Sequence, residues 1–142
     1  MIICAIIKKT KEKIVRYVEL QARRKNMDKY LPFVRKDICC KILLKDIMRI
    51  EQRGRLVAII TEKDTFERYG RIEELEPYLD ERFYHCLKTV IINFQQVSMM
   101  RDQTIFFRNS EKIFLGRQNY IKARQTFAIY IKNPCNCNGF VV

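Results

Sequence analysis

From Asp37 onward, apolar residues recur at every second position in short runs, and this constrains the fold more than any other feature of the chain. A period of two is that of a β-strand with one face covered. Ile38, Cys40, Ile42 and Leu44 alternate with other residues, and Ile47-Met-Arg-Ile50 continues in the same manner. Leu56-Val-Ala-Ile-Ile60 is almost wholly apolar, which predicts a central strand. Thr61 to Asp64 is polar and turn-like, and Thr65 to Tyr69 alternates again before Gly70, so the two runs predict a hairpin. Further short runs follow at 90–92, 96–100, 104–107 and 112–115. Arg101-Asp-Gln103 and residues 108–111 fall between them as turns.

Helical spacing shows in three places. Over residues 10–25, Ile14, Val18 and Ala22 form one apolar stripe, with Thr10 as N-cap and Arg23, Arg24 and Lys25 at the negative end of the dipole. Such a helix packs on its own domain or on a second copy of the chain, or it lays basic residues on DNA. Residues 71–79 predict a short helix that Pro77 keeps brief or tightened. After Gly116 a last helix presents Tyr120, Ile121, Phe127, Ala128 and Ile131 as its apolar side. Residues 26–36 contain Pro32 and read as a linker. The expected organisation is an N-terminal strand and basic helix with linker over 1–36, one domain over 37–132, and a tail over 133–142.

Composition narrows the function classes. The 142 residues carry 28 Lys+Arg against 16 Asp+Glu, a formal net charge of +12. The excess is loaded on the two ends of the sequence, around a near-neutral middle rich in carboxylates. A positive surface attracts phosphate backbones, and acidic membranes or proteins as well. No apolar run reaches spanning length, and Met1 to Ile7 lacks the flanks of a signal peptide, so a cytoplasmic protein with reduced thiols is expected. Of the six cysteines, only Cys135 and Cys137 lie in a loop-like stretch, and two ligands do not make a structural zinc site, so no metal or other cofactor is expected. Catalysis is not expected either. The single histidine, His85, has Cys86 beside it, but neighbours on a strand point to opposite faces, and no glycine-rich phosphate loop is present. No small-molecule substrate or membrane partner is implied.

Binding has better material. Arg53-Gly-Arg55 is a short basic loop in which Gly54 lets the backbone turn, and guanidinium groups pair with guanine edges or phosphates. Lys88 falls at the end of a strand. Arg117, Gln118, Asn119 and Lys122 open the last helix, whose first turn offers unpaired N–H groups to an anion.

These residues also carry a resemblance. Lys45-Asp-Ile-Met-Arg-Ile-Glu51 resembles the opening motif of the LytTR-type DNA-binding domains, and Arg68 to Leu75 resembles their strand-to-helix segment. Phe83-Tyr-His-Cys-Leu-Lys-Thr-Val-Ile-Ile-Asn93 resembles their central signature, and Phe114-Leu-Gly-Arg-Gln-Asn-Tyr120 their closing one. The likeness spans residues 38–131 and is greatest to quorum-sensing regulators of the accessory-gene-regulator type. The chain departs from the pattern at His85, at Leu87 in place of the signature histidine, and at Leu115-Gly116 before the closing arginine.

The resemblance implies a mainly β fold, an elongated antiparallel β-sandwich of small sheets with an N-terminal, a short internal and a C-terminal helix. It implies a transcription regulator reading the major groove of double-stranded DNA through strand-connecting loops, on repeated half-sites. The DNA-reading residues would be Arg53, Gly54, Arg55, Lys88, Thr89, Arg117, Gln118, Asn119 and Tyr120, with Lys122 close by. Ala5-Ile-Ile-Lys-Lys9 and the helix that follows to Lys25 look somewhat like the last strand and helix of a receiver domain. The competing expectation is a receiver-less interaction module that pairs with a full-length regulator, or forms a homodimer, through residues 10–25.

Overall fold

A computed structural model describes residues 28–136. The strand and helix expected within residues 1–25, and Cys137, lie outside that span.

The described residues form ten antiparallel strands in three sheets, nine of them in the region of alternation after Asp37. The central sheet has the order β5-β4-β3-β7-β6, with β3 Ile47–Arg53, β4 Leu56–Thr61, β5 Thr65–Tyr69, β6 Phe83–Leu87 and β7 Val90–Asn93. One face is covered by a two-stranded hairpin, β1 Tyr30–Arg35 with β2 Ile38–Leu43, and by a 3-10 turn over Ile72–Tyr78. The other face is covered by a three-stranded sheet of β8 Val97–Arg101, β9 Thr104–Phe107 and β10 Lys112–Phe114, together with helix α1, Arg117–Lys132.

Each face therefore has its own core. Leu31, Phe33, Ile50, Val57, Ile59, Ile72, Leu75 and Ile91 fill the first. Met48, Cys86, Ile92, Phe94, Ile105, Phe107 and Leu115 fill the second. A strand covered on both faces cannot place polar residues on either, which is why Val57 to Ile60 are all apolar and all buried. The hairpin of β4 with β5 forms as expected.

The stretch over 26–36, read as a linker, is corrected over Tyr30–Arg35, where it forms β1. Proline stops a strand only where its missing N–H would enter a ladder. β1 pairs on one side only, with β2, so the strand tolerates Pro32 while Leu31 and Phe33 are fully buried. The internal helix over 71–79 is a 3-10 turn throughout, with Pro77 inside it.

Helix α1 starts after Gly116 as expected, but its buried face differs. Tyr120, Ala123, Phe127 and Tyr130 meet the second core, while Ile121 and Ile131 are exposed. Phe127 and Tyr130 both reach the Phe94 ring, at centroid distances of 5.3 and 5.4 Å. The aromatic residues outcompete the isoleucines for this face because their larger apolar area is what the sheet can cover.

Asn93 is the one buried polar side chain among the described residues, and it is fully bonded. Its Nδ2 donates to the carbonyls of Leu44 (3.0 Å) and Ile47 (2.8 Å), and its Oδ1 accepts from the N–H of Gln95 (2.9 Å). It thereby joins the short 3-10 turns Leu44–Asp46 and Phe94–Gln96, which lead into β3 and β8.

Candidate nucleic-acid interface

The register of the central sheet brings two of the predicted basic loops to one end. β3 and β4 are joined by Gly54 and Arg55, a two-residue turn with Gly54 at φ +62° and Arg55 at negative φ. That is the pattern of a II′ hairpin, in which the first position calls for glycine. β6 and β7 are joined by Lys88 and Thr89. Glu51 pairs with Val90, and the Gln52 N–H donates to the Thr89 carbonyl at 2.8 Å, so this turn lies beside the end of β3.

The two arginines of the first turn differ in availability. Arg53 is held by Glu51 (3.0 Å) and Glu67 (3.2 Å). It belongs to a ladder of alternating charge along β3, which runs from Glu111 through Arg49, Glu51 and Arg53 to Glu67. Burial opposes the charge on Glu51, but hydrogen bonds from Arg49 and Arg53 outweigh it and hold its pKa below the usual carboxylate value. Arg49 is also half-buried, yet its bonds to Glu51 and Glu111 raise its pKa. Arg55 has no ion pair among the described residues and is exposed at the tip. Lys88 and Thr89 are exposed beside it.

The third predicted group sits on another element. Arg117, Gln118 and Asn119 form the exposed first turn of α1, with Lys122 exposed one turn later. Gly116 caps this helix with no side-chain bond, and the ladder of the helix begins with Tyr120 N–H to Gly116 O at 2.8 Å. The N–H groups ahead of Tyr120 are therefore the unpaired donors of a helix start. Leu115 N–H donates to Gln103 O (2.9 Å), which sets this helix end beside the β8–β9 turn and Arg101. Tyr120 itself is half-buried against the second core. Leu87 and Val90, which flank Lys88 and Thr89, pack against the same core.

The same sheet end holds a turn that sequence reasoning passed over. Leu56 pairs with Tyr69, and the Gly70 N–H donates to Arg55 O at 3.1 Å. Tyr69 and Arg71 thus flank the Arg53–Arg55 loop. Their sequence context, between a strand and an acidic segment, gave no sign of this, because only the β4–β5 register places them there.

The geometry offers little to catalysis. His85 is partly exposed with Glu76 at 3.3 Å, while Cys86, on the opposite face, is buried and its thiol pushed up to about 11 by that burial. Among the described residues no group of His, Cys, Asp or Glu side chains is arranged to hold a metal ion, and no helix is long and apolar enough to cross a membrane.

Comparison with known proteins gives this fold its family. No curated protein matches the chain. Among solved structures, the LytTr DNA-binding domain of a Bacillus cereus protein described as a methyl-accepting/DNA response regulator shares the fold. The TM-score is 0.58 at 15% identity, over 70% of this chain and 97% of that one. The model of the LytTr DNA-binding domain family matches residues 38–128, which is more than half of the sequence. That family binds DNA and is not enzymatic, and this chain belongs to it.

Proposed function

We propose that this chain is a sequence-specific regulator of transcription that reads the major groove of duplex DNA through its strand-connecting turns and the start of α1. The observation that supports this most is the convergence of two basic two-residue turns, Gly54-Arg55 and Lys88-Thr89, at one end of the central sheet of a LytTR domain. A two-residue hairpin tip is narrow enough to enter a groove, and Arg55 and Lys88 project from such tips without intramolecular ion pairs among the described residues. Arg117, Gln118 and Asn119 supply a second contact, with helix N–H groups toward a phosphate and the guanidinium toward a base edge. Thr89, Tyr120, Lys122, Gly54 and Arg53 complete the surface. In this reading Arg53 meets the phosphates only in exchange for one of its two carboxylates.

Fluorescence anisotropy tests the reading, using the duplex upstream of the chain's own gene against a scrambled duplex over a salt series. The native duplex binds more tightly at every salt concentration, and both affinities fall as salt rises. Arg117→Ala costs ~1–3 kcal/mol on the native duplex and narrows the gap between the two, as loss of a base contact does. Lys88→Ala lowers both affinities and reduces the salt slope by about 0.9. Equal affinities for the two duplexes, or variants that bind like the parent, would leave only a basic surface.

A further inference from the structure

One residue ties three turns together, two through its side chain and one through its backbone. Gln52, half-buried near the end of β3, places its Nε2 within hydrogen-bond distance of the carbonyls of Gly54 (2.9 Å), Leu56 (3.2 Å) and Gly70 (3.1 Å). Its Oε1 accepts from the Ile72 N–H at 2.7 Å, and its own backbone N–H donates to Thr89 O at 2.8 Å. The β3–β4 turn, the β5-to-3-10 connection and the β6–β7 turn all bond to this residue. Buried amide networks that are fully satisfied make a local structure rigid and unique.

The connection so held is Tyr69-Gly70-Arg71. Tyr69 is 77% exposed, the most exposed large apolar residue described. Residues directly opposite on antiparallel strands share a face. Arg53 pairs with Leu56 and Leu56 with Tyr69, so the Tyr69 ring lies on the face of the sheet that carries the Arg53 guanidinium. The Arg71 side chain is 70% exposed, and its ion pair with Glu73, at 3.8 Å between two exposed groups, is too long and too wet to hold it. Gly70 has φ +148°, a conformation other residues rarely adopt, and its N–H and carbonyl are bonded to Arg55 and Gln52. An exposed aromatic ring beside a loosely held guanidinium, on a rigid tip next to two basic tips, is a phosphate-and-sugar contact in form. Glu73, Glu74 and Glu76 follow immediately, so the surface turns acidic beyond Arg71 and repels a polyanion along the 3-10 turn.

We infer that Tyr69 and Arg71 form a further DNA-contacting element, and that Gln52 is the positioning residue that holds it in register with the Arg53–Arg55 and Lys88–Thr89 turns. The inference rests on the DNA-reading surface proposed above.

The same anisotropy assay tests it, with Tyr69→Ala, Arg71→Ala, Gln52→Ala and the double variant Gln52→Ala/Arg71→Ala. All are measured well below their melting temperatures, with Lys88→Ala as reference. Arg71 and Tyr69 are exposed, so their variants keep the fold. Arg71→Ala should weaken binding several-fold on native and scrambled duplexes alike and reduce the salt slope by about 0.9, the signature of one lost phosphate contact. Tyr69→Ala should weaken both with no change of slope. In the Gln52→Ala background, Arg71→Ala should have a much smaller effect, because the guanidinium is no longer held where the phosphate is; a purely structural Gln52 would leave the two effects additive. If Tyr69→Ala and Arg71→Ala bind like the parent while Lys88→Ala weakens binding, this inference fails and the proposed function stands. Additive effects of the Gln52 and Arg71 changes would remove Gln52 as a positioning residue. If Lys88→Ala and Arg117→Ala are also silent, the DNA-reading surface itself is misplaced.

Discussion

Asn93 and Glu51 show how single polar residues hold this fold. Asn93 sits at full burial with three hydrogen bonds, to the carbonyls of Leu44 and Ile47 and from the N–H of Gln95, and it shares the Leu44 carbonyl with the Ile47 N–H. Replacing it with leucine keeps the approximate volume, removes the side-chain donor from the Ile47 carbonyl and the acceptor from the Gln95 N–H, and leaves the Leu44 carbonyl only its bond from the Ile47 N–H. At ~1–3 kcal/mol for each unsatisfied group, partly relieved by relaxation, Asn93→Leu should cost about 3 kcal/mol in urea unfolding. A cost under ~1 kcal/mol would mean that the carbonyls find other donors. Glu51 works through charge. Its folded pKa lies below the unfolded value of 4.5 because Arg49 and Arg53 bond to it. Its contribution is therefore complete above the unfolded pKa and is lost as pH falls through the folded one. Melting temperatures should decline below about pH 4.5, and Glu51→Gln should both lower the neutral-pH value and flatten that decline. An unchanged acid limb in the variant would assign the decline to other carboxylates, such as Asp37 beside Arg35. The motif that carried the family resemblance contained both residues, Glu51 at the end of its opening and Asn93 at the end of its centre. The role of Asn93 is not visible there, because Leu44 is 49 residues away in sequence; the partners of Glu51, Arg49 and Arg53, are two residues away on either side, and only the strand conformation puts all three on one face.

At the scale of elements, one hairpin turn is built from a residue its backbone does not favour. The β8–β9 turn places Asp102 at φ 52° and Gln103 at φ 61°, the two left-handed positions of a I′ turn. Aspartate tolerates that region, whereas glutamine has no side-chain bond to its own backbone that favours it. Gln103→Gly should therefore stabilise the domain by ~0.5–1 kcal/mol, the strain relieved less the added freedom of the unfolded chain. Urea titration reads this directly, and a destabilised variant would show that the Gln103 side chain makes packing contacts that outweigh its backbone strain. Segment types were largely legible: the strands, the hairpin over 56–69, the turns at 101–103 and 108–111, and the helix after Gly116. The errors were at β1 and on α1. Pro32 suggests a linker until one knows that β1 is an edge strand. On α1 the apolar residues Ile121, Ala128 and Ile131 compete with Tyr120 and Phe127 for the buried face, and the ring of Phe94, which Phe127 and Tyr130 meet, enters from a turn more than 30 residues earlier.

In the whole molecule, the central sheet is covered on both faces by different partners, and its bare ends are left to its turns. The proposed DNA-reading surface follows from this division. Faces carry the apolar residues, and the exposed ends of β3, β5 and β7 carry Arg55, Tyr69, Arg71 and Lys88. Local sequence is enough to show that the chain is mainly β, that a basic-headed helix follows Gly116, and that it is of the LytTR type. Period, turn chemistry and motif are local, and each can be read within a few residues. Tertiary structure alone decided which basic residues stand together and which are free. Strand register set Arg53 against Glu51 and Glu67, left Arg55 exposed, and brought Tyr69 and Arg71 alongside through Gln52. Register is fixed by the burial of two separate cores, a property of the assembled sheets that no single segment contains.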